Sequence, residues 1–288
     1  TDTIHYNVSG TFFSHPSTMV LKLHKPLNEL ECTPFLEESK TFNHVLTLGK
    51  ESNKGTKAPR PFNTSHLLQT ASNILHISPK QTMAYCQTLY QEGHITYMRT
   101  DSTKYASPFV ETMEAYLKDK YGDKYVGDLS KVENTDNNNP HEAIRVTNIH
   151  VKDVSGEGRL SALYGLIWKR TIESCMSDYE YKETTLSISA PMQHHYVGTI
   201  EIPLFLGWKQ ISWTALDFKE TQEKSSGLLM YMKTQHEQTV SPTKVECKPG
   251  VPERESHYTE ASLIQKMEKL GIGRPSTFSL LVGTIQER

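Results

Sequence analysis

Residues 1–58 alternate between apolar and polar positions in three short strings that glycine and proline separate: IHYNVSGTFF, TMVLKLHKP and NHVLTLGKE. Alternation with a period of two residues is typical of strands that bury one face. The same pattern returns within residues 184–255, in HYVGTIEIPLFLG and WKQISWTAL. We therefore predict two β-rich parts of the chain.

Between these parts, apolar residues recur at the three- and four-residue spacing of helices that bury one face. The strings with this spacing lie at residues 67–75, 79–92, 107–117 and 159–176. Serine followed by proline marks two of the helix starts, at Ser78 and Ser107, and Gly93 marks a helix end. HITYM, at residues 94–98, alternates and predicts a strand. We expect a compact helical module over residues 59–183, similar to a helix-turn-helix or winged-helix domain.

A last helical pair starts near residue 256, with GIGRPST as the connector between its two helices. The predicted fold class is therefore α+β and multidomain. The predicted domains are residues 1–58 and 184–255 (β-rich), 59–183 (helical) and 256–288 (the start of a second helical domain). Because the chain opens without methionine and stops inside a helical string, we expect it to be a piece of a longer protein.

Composition excludes several classes of protein. No apolar run reaches the ~18 residues of a membrane span, and no signal peptide precedes the first strand. The four cysteines form no C-x-x-C pair, which argues against zinc and a disulfide framework and favours a reducing compartment. The absence of a P-loop and of a D-x-D cluster leads us to expect neither ATP nor a magnesium site within this chain.

The formal net charge of −2 is not the overall signature of a nucleic-acid-binding protein. Two regions, residues 59–106 and 261–288, each hold four basic and two acidic residues. Any surface for a polyanion should therefore be local.

The string ITYMRTDS is the strongest candidate for chemistry. Residues two apart in a strand share a face, so Tyr97, Arg99 and Asp101 should point the same way. A phenol with a pKa near ~10 is a poor nucleophile, but a neighbouring guanidinium favours the phenolate and can bind a phosphate by two parallel hydrogen bonds. Such an oxygen could attack a phosphodiester and keep the bond energy in a covalent link. From spacing alone, a buried strand tyrosine beside a surface arginine is the simpler interpretation.

Three further strings suit anion binding near helix N-termini, where backbone N–H groups are free. We expect PHEAIR to form a helix that begins at Pro140, with its histidine and arginine on one face. A surface histidine with a partner, or a plain Gly-Pro turn, would explain two of these strings without any ligand. The candidate residues are His141 and Arg145 of PHEAIR, Arg274, Ser276 and Thr277 of GIGRPST, and Arg60 and Thr64 of RPFNTSHL.

Taken together, five strings resemble the core of the type IA DNA topoisomerases, and HEAIR favours the bacterial topoisomerase I branch. In chain order they are PFNTSHLLQTAS, KQTMAYCQTLYQEGHITYMRTDST, HEAIR, LYGLIWKRTI and YTEASLIQKMEKLGIGRPSTFSLLVGTIQ. They are spread over residues 59–288, whereas residues 1–58 match in position and β character alone. The resemblance implies a β-rich arch interrupted by a helical domain that carries the tyrosine, followed by a helical domain that binds a single strand.

The resemblance also implies roles for the candidate residues. Tyr97 matches the nucleophile that forms a transient 5′-phosphotyrosine, Arg99 the arginine that positions the scissile phosphate, and His141 a phosphate contact. The implied activity is ATP-independent passage of single-stranded DNA and relaxation of negative supercoils by a monomer, inside the cell wherever the DNA is. The residues expected to bind DNA are Asp101, Arg145, Arg274, Ser276, Thr277, Arg60 and Thr64.

The chain departs from the family pattern at two positions and lacks one domain. Val146 stands where a proline commonly follows HEAIR, and Pro140 replaces a small residue before it. Nothing matches the family's N-terminal Toprim domain, which carries a catalytic glutamate and the D-x-D site. We therefore expect Mg²⁺ to be bound outside this chain, and the chain by itself to be inactive.

Other functions stay open at this point. A catalytically inactive module that binds single-stranded DNA, as a fragment or a degenerate paralogue, would share these strings. A tyrosine recombinase combines the same residue types, but its nucleophile comes late in the chain and makes a 3′ link, whereas Tyr97 precedes His141 and Arg145. Reverse gyrase shares the core and would need a helicase domain upstream.

Overall fold

The computed structural model describes residues 4–250 and 258–286, which group into two compact units. Within the described residues, unit 1 holds residues 4–55, 180–206 and 213–250, and unit 2 holds residues 56–179, 207–212 and 258–286. None of the described helices combines the length and the apolar character needed to cross a membrane.

Strands and helices do not follow one another in a regular order along the described chain. The strands are β1 (His5–Phe12), β2 (Met19–Leu23), β3 (Leu27–Asn28), β4 (His44–Thr56), β5 (Tyr105–Ala106), β6 (Glu133–Asn134), β7 (Tyr179–Ser189), β8 (His195–Phe205), β9 (Thr239–Val240) and β10 (Pro242–Pro249). The helices are α1 (Glu29–Ser39), α2 (Thr64–Thr70), α3 (Pro79–Gln91), α4 (Ser107–Tyr121), α5 (Gly158–Glu173), α6 (Ala215–Thr234), α7 (Glu260–Lys269) and α8 (Phe278–Gln286).

Unit 1 is built on one sheet with the strand order β10-β1-β2-β8-β7-β4-β9, in which β3 also pairs with β1. The pairs β1–β10, β1–β2, β2–β8 and β7–β8 are antiparallel. In β7 and β8, Leu186, Ile188, Tyr196 and Ile200 face the core while the residues between them are more exposed. The mixed α and β character and the alternation predicted from the sequence are confirmed.

Two helices of unit 1, α1 and α6, were not predicted from the sequence pattern. Each begins with a capping box, Asn28 with Glu31 and Thr214 with Asp217. The sequence signal for both helices is weak. The helix α1 contains a proline, Pro34, and α6 has 20 residues but buries two of them, so it shows little apolar periodicity. The prediction of strands alone for residues 1–58 and 184–255 was therefore incomplete.

Apart from the helix expected at HEAIR, the helices predicted for unit 2 are confirmed. Ser78 caps α3 by accepting a hydrogen bond from the N–H of Gln81 at 3.2 Å. Gly93, with φ of +79°, lies just beyond the end of α3, as the C-terminal signal predicted. Leu163 and Ile167 of α5 are fully buried in the core of the unit. In the same unit, α7 packs against α2 and α8 against α3.

Two secondary-structure predictions in unit 2 are wrong. Residues 94–98 make one bridge, Ile95 with Val146, and no strand of a described sheet. Residues 141–145 of HEAIR are extended and not helical. The reason is tertiary: the N–H groups that a helix would use internally donate instead to distant carbonyls, from Ala143 to Lys104 at 2.7 Å and from Ile144 to Phe62 at 2.8 Å.

The division into four domains stays a prediction, and the boundary placed near residue 256 lies outside the described residues.

Within unit 1, the tertiary structure brings together two cysteines far apart in the chain. The Sγ atoms of Cys32, on α1, and Cys247, on β10, lie 2.7 Å apart as free thiols.

A buried carboxyl at the end of α5 should make the stability of unit 2 depend on pH. Burial raises the pKa of Glu173 from its ordinary 4.5 to about 7, against the opposing effect of Lys169 and Arg170. The unfolded chain releases this proton near pH 4.5 and the folded chain near pH 7, so the stabilisation is complete below pH 4.5 and is lost as the pH rises to 7. At pH 8, Glu173→Gln should therefore have a higher free energy of unfolding than the parent, by up to about 3 kcal/mol. Its urea midpoint should be correspondingly higher.

Urea unfolding of both proteins between pH 4 and pH 8 measures this difference. It should shrink towards the acid end of the range, and Glu111→Gln, which changes an exposed carboxyl on α4, should show no such trend. A constant difference at every pH would contradict the assignment to Glu173.

Candidate nucleic-acid interface

The chemistry predicted for ITYMRTDS lies on one extended stretch, residues 94–101, which we call the tyrosine segment. Met98 and Thr100 are buried, whereas Tyr97, Arg99 and Asp101 are exposed. The period of two residues expected from the sequence is therefore present, although the segment belongs to no described sheet. The buried side chains anchor the segment, and the exposed ones point into solvent.

Tyr97 contacts the two neighbours that define its surroundings. Arg99 Nη1 donates a hydrogen bond to Tyr97 Oη at 3.5 Å. On the other side, the ring of Tyr90 packs edge-on against the ring of Tyr97, with centroids 5.2 Å apart and planes at 63°. Tyr97 itself is 45% exposed, so its hydroxyl oxygen and the guanidinium of Arg99 can reach one incoming group. Sequence reasoning missed Tyr90, whose only signal was an aromatic residue on the exposed face of a helix.

The HEAIR string lies beside the tyrosine segment; we call residues 141–147 the histidine segment. The N–H of Thr96 donates to the carbonyl of Arg145 at 2.9 Å, and the N–H of Arg145 donates to Thr96 Oγ1 at 3.0 Å. The hydroxyl of Thr96 in turn donates to the carbonyl of Ala143 at 2.8 Å. These bonds fix the two segments side by side, and His141, at the exposed end of the histidine segment, lies at the surface.

Arg145 is held by its own neighbours. It makes two parallel hydrogen bonds to Glu142, at 2.8 and 2.9 Å, and a third to the carbonyl of Val146 at 3.1 Å. Its guanidinium also stacks on the ring of Phe109, 3.8 Å from the centroid. With the side chain 14% exposed, the geometry favours a structural role over direct contact with DNA.

A small cavity of about 180 Å³ lies between the tyrosine segment and the connector of α7 and α8. Asp101 and Arg274, which were both predicted to bind DNA, line it from opposite sides. Both are exposed, so the cavity offers a carboxylate and a guanidinium beside the tyrosine segment. The other lining residues are Asn63, Ser65, Thr100, Glu268, Gly271, Ile272, Gly273, Pro275 and Phe278.

The connector is held in shape by glycine and by a capping hydroxyl. Gly273 has φ of +84°, and a Cβ atom there would lie 3.0 Å from Leu281, so a larger residue would strain the turn. Thr277 Oγ1 accepts from the N–H of Arg274 at 2.9 Å. The hydroxyl of Thr277 therefore fixes the backbone that presents Arg274, while Ser276 is exposed beside it.

The first turn of α2 holds several polar groups, which belong to the RPFNTSHL string or follow it directly. Ser65 donates to Glu268 at 2.7 Å, which joins α2 to α7. Burial lowers the pKa of His66, and Arg170 and Arg60 lower it further while Glu268 acts in the opposite direction. Arg60 is exposed, and its carbonyl accepts from Arg170 at 3.2 Å.

Thr64, predicted to contact DNA, has no exposed surface. Its hydroxyl bonds to the carbonyls of Met98 at 2.6 Å and Thr100 at 3.0 Å. It cannot touch a strand directly in this structure and instead lies behind the tyrosine segment.

Among residues 4–250 and 258–286, no three histidine, cysteine, aspartate or glutamate side chains are grouped so that they could hold a metal ion. The described residues therefore do not fit the magnesium that the family resemblance implies, and they would have to act without a metal of their own.

The model of the DNA topoisomerase family matches residues 6–288 of this chain. This chain belongs to the DNA topoisomerase family. Among its relatives, DNA topoisomerase 1 of Buchnera aphidicola is 33% identical over 273 residues, which are 93% of this chain and 30% of the relative. DNA topoisomerase 1 of Pseudomonas aeruginosa is 32% identical over 270 residues, which are 92% of this chain and 30% of the relative.

The fold agrees with this membership. The solved structure of full-length topoisomerase I from Thermotoga maritima superposes with a TM-score of 0.74 at 27% identity, over 98% of this chain and 46% of that one. This topoisomerase chain thus spans about a third of the length of the two curated relatives and half of the solved one. The type IA resemblance drawn from the five strings is confirmed at the level of the family.

Removing the guanidinium of Arg145 should destabilise unit 2, because the partly buried carboxylate of Glu142, 18% exposed, would lose its partner. We expect Arg145→Ala to lower the free energy of unfolding by roughly 3 kcal/mol, measured by urea unfolding.

The matched control is Lys118→Ala, which breaks an exposed ion pair with Glu114 on α4 and should change stability little. Equal midpoints for Arg145→Ala and the parent would contradict the structural role.

Proposed function

We propose that these residues form the core of a type IA DNA topoisomerase that relaxes negatively supercoiled DNA by passing one single strand through a transient break in another, without ATP. The observation that carries the proposal is the exposed pair of Tyr97 and Arg99, joined by a hydrogen bond of 3.5 Å on either side of the buried Met98. Family membership and the order of the five strings support it.

In the proposed reaction, the hydroxyl oxygen of Tyr97 attacks the phosphorus of one phosphodiester bond. A new O–P bond joins the tyrosine to the 5′ phosphate as the bond from phosphorus to the 3′ oxygen breaks, and the 3′ oxygen leaves as a hydroxyl with a proton. No bond energy is lost, so the 3′ hydroxyl can reverse the step after strand passage. This accounts for an activity that uses no nucleotide.

Arg99 stabilises the charge that develops on the phosphate. His141 contacts the phosphate from the histidine segment. Asp101 and Arg274, on opposite sides of the 180 Å³ cavity, hold the strand next to the break, with Ser276 and Arg60 as further exposed contacts. Arg145, Thr64 and Thr277 support these groups through the backbone.

In the same proposal, residues 1–58 and 184–255 form an arch that lifts one cut end, residues 59–183 carry the tyrosine in a winged-helix-like domain, and residues 256–288 begin a domain that binds single-stranded DNA. Magnesium belongs to a Toprim domain of the longer protein. The 288 residues alone should therefore bind single-stranded DNA weakly and should not relax supercoils.

The test uses three proteins: the chain of 288 residues, the same chain extended upstream to the start of its gene, and the extended protein with Tyr97→Phe. Each is incubated with end-labelled single-stranded DNA and Mg²⁺, quenched in detergent and examined for a covalent adduct. We expect an adduct on the 5′ phosphate from the extended protein alone, and its complete loss in Tyr97→Phe because the attacking oxygen is gone.

The matched control is Tyr116→Phe in the extended protein, which removes a hydroxyl on α4 that contacts Lys120. It should form the adduct at the parental level. If the extended protein binds DNA normally and forms no adduct, catalysis is refuted and an inactive module that binds single-stranded DNA takes its place.

A further inference from the structure

A buried threonine holds the tyrosine segment where a neighbouring strand would do so in a sheet. Thr64 is the first residue of α2, and the start of that helix is set by Asn63, whose Oδ1 accepts from the N–H of His66 at 2.9 Å. Helix and side chain are therefore placed independently of the tyrosine segment. Thr64 has zero exposed surface, and its N–H and its hydroxyl bond to residues 98–100.

The contacts of Thr64 with this stretch use the backbone and the hydroxyl together. The N–H of Thr64 donates to the carbonyl of Thr100 at 3.0 Å, and Thr64 Oγ1 accepts from the N–H of Thr100 at 2.9 Å. Thr64 Oγ1 also lies within hydrogen-bonding distance of the carbonyls of Met98, at 2.6 Å, and Thr100, at 3.0 Å, and can donate its proton to either. A hydroxyl carries one proton and two lone pairs, so this one side chain can satisfy groups on both sides of Arg99.

These bonds decide which way the side chains point. Met98 and Thr100 are held inward, and the residues that alternate with them, Tyr97 and Arg99, must point outward. Up to Thr96 the segment is held by the histidine segment. Within the described residues, the hydrogen bonds that join residues 97–101 to other segments all go to Thr64. The backbone beyond the tyrosine therefore depends on Thr64 for its register.

We propose that Thr64 is a positioning residue of the cleavage reaction: its buried hydroxyl sets the orientation of Tyr97 and Arg99 through the backbone of Met98 and Thr100. The inference rests on the proposed function of Tyr97. The hydrogen bond between Arg99 and Tyr97 is long, at 3.5 Å, so a small turn of the peptide would separate the two groups. A misplacement of ~1 Å is enough to slow a positioned reaction about a hundredfold.

Replacement of Thr64 separates this role from direct binding and from general packing. Thr64→Val keeps the shape but leaves the N–H of Thr100 and the carbonyl of Met98 without a partner, whereas Thr64→Ser keeps the hydroxyl. Thr64→Ala repeats the loss with a smaller side chain, in case valine does not fold. The matched control is Thr82→Val on α3, because Thr82 is equally buried and its hydroxyl has no partner among the described residues.

The variants are made in the extended protein, and the rate of adduct formation is measured in a single turnover at saturating single-stranded DNA, beside the Kd for the same DNA. We expect Thr64→Val and Thr64→Ala to slow cleavage about a hundredfold while the Kd stays within about threefold of the parent. Thr64→Ser should recover cleavage to within about tenfold, and Thr82→Val should match the parent.

A second measurement does not depend on activity. Hydrogen exchange over residues 98–104, followed by mass spectrometry in the same proteins, should be at least about tenfold faster at Thr100 in Thr64→Val than in the parent and should stay slow in Thr64→Ser. Unchanged exchange in Thr64→Val, parental cleavage by a folded Thr64→Val, or a weakened Kd with an unchanged cleavage rate would each overturn the proposal. If the parent forms no adduct, the function proposed for Tyr97 fails, and the exchange result still decides whether Thr64 holds the segment.

Discussion

Backbone hydrogen bonds between segments far apart in the chain are the constraint on which the candidate site depends. Ile144 donates to Phe62 at 2.8 Å, Thr96 donates to Arg145 at 2.9 Å, and Thr147 donates to His94 at 3.0 Å. None of these segments belongs to a described sheet, and two of the bonded residues, Phe62 and Ile144, are buried. An unpaired buried N–H or carbonyl is costly, so each segment is stable in its extended form only while the others are in place.

This arrangement separates the side chains that anchor the site from those that can act. Ile95 and Met98 point into the core of unit 2, together with Ile144 and Val146. Tyr97, next to Met98, stands out into solvent between Arg99 and Tyr90. In the proposed reaction, a nucleophile placed this way would have a held backbone beneath it and free space above it for the DNA strand.

Some basic side chains of unit 2 are paired with neighbours and others are exposed near the tyrosine segment, in a molecule that is nearly neutral overall. The net charge of −2 gives no general attraction to DNA, so the proposed binding would rely on a few placed groups. Several basic side chains are already engaged: Arg145 by Glu142 and Phe109, and Arg170 by the ring of Phe62, 4.0 Å from the centroid. Arg99 and Arg274 are exposed beside the tyrosine segment and its cavity. These two guanidinium groups are therefore free to meet a strand in the proposed function.

The sequence by itself determined most of the helices of unit 2, the alternation in the tyrosine segment, and the family, because periodicity, caps and contiguous strings are local properties that short stretches of residues carry. Only the tertiary structure decided the conformation of HEAIR, the buried position of Thr64 and the engagement of Arg145. It also decided the contacts of Tyr90 and the shared cavity of Asp101 and Arg274. Most of these contacts join residues between 34 positions apart, as Thr64 and Met98 are, and 173 positions apart, as Asp101 and Arg274 are. The pairs Glu142–Arg145 and Tyr90–Tyr97 are closer in the chain, at 3 and 7 positions. HEAIR is extended because its N–H groups find carbonyls at Phe62 and Lys104, and no local pattern of residues records where those carbonyls will lie.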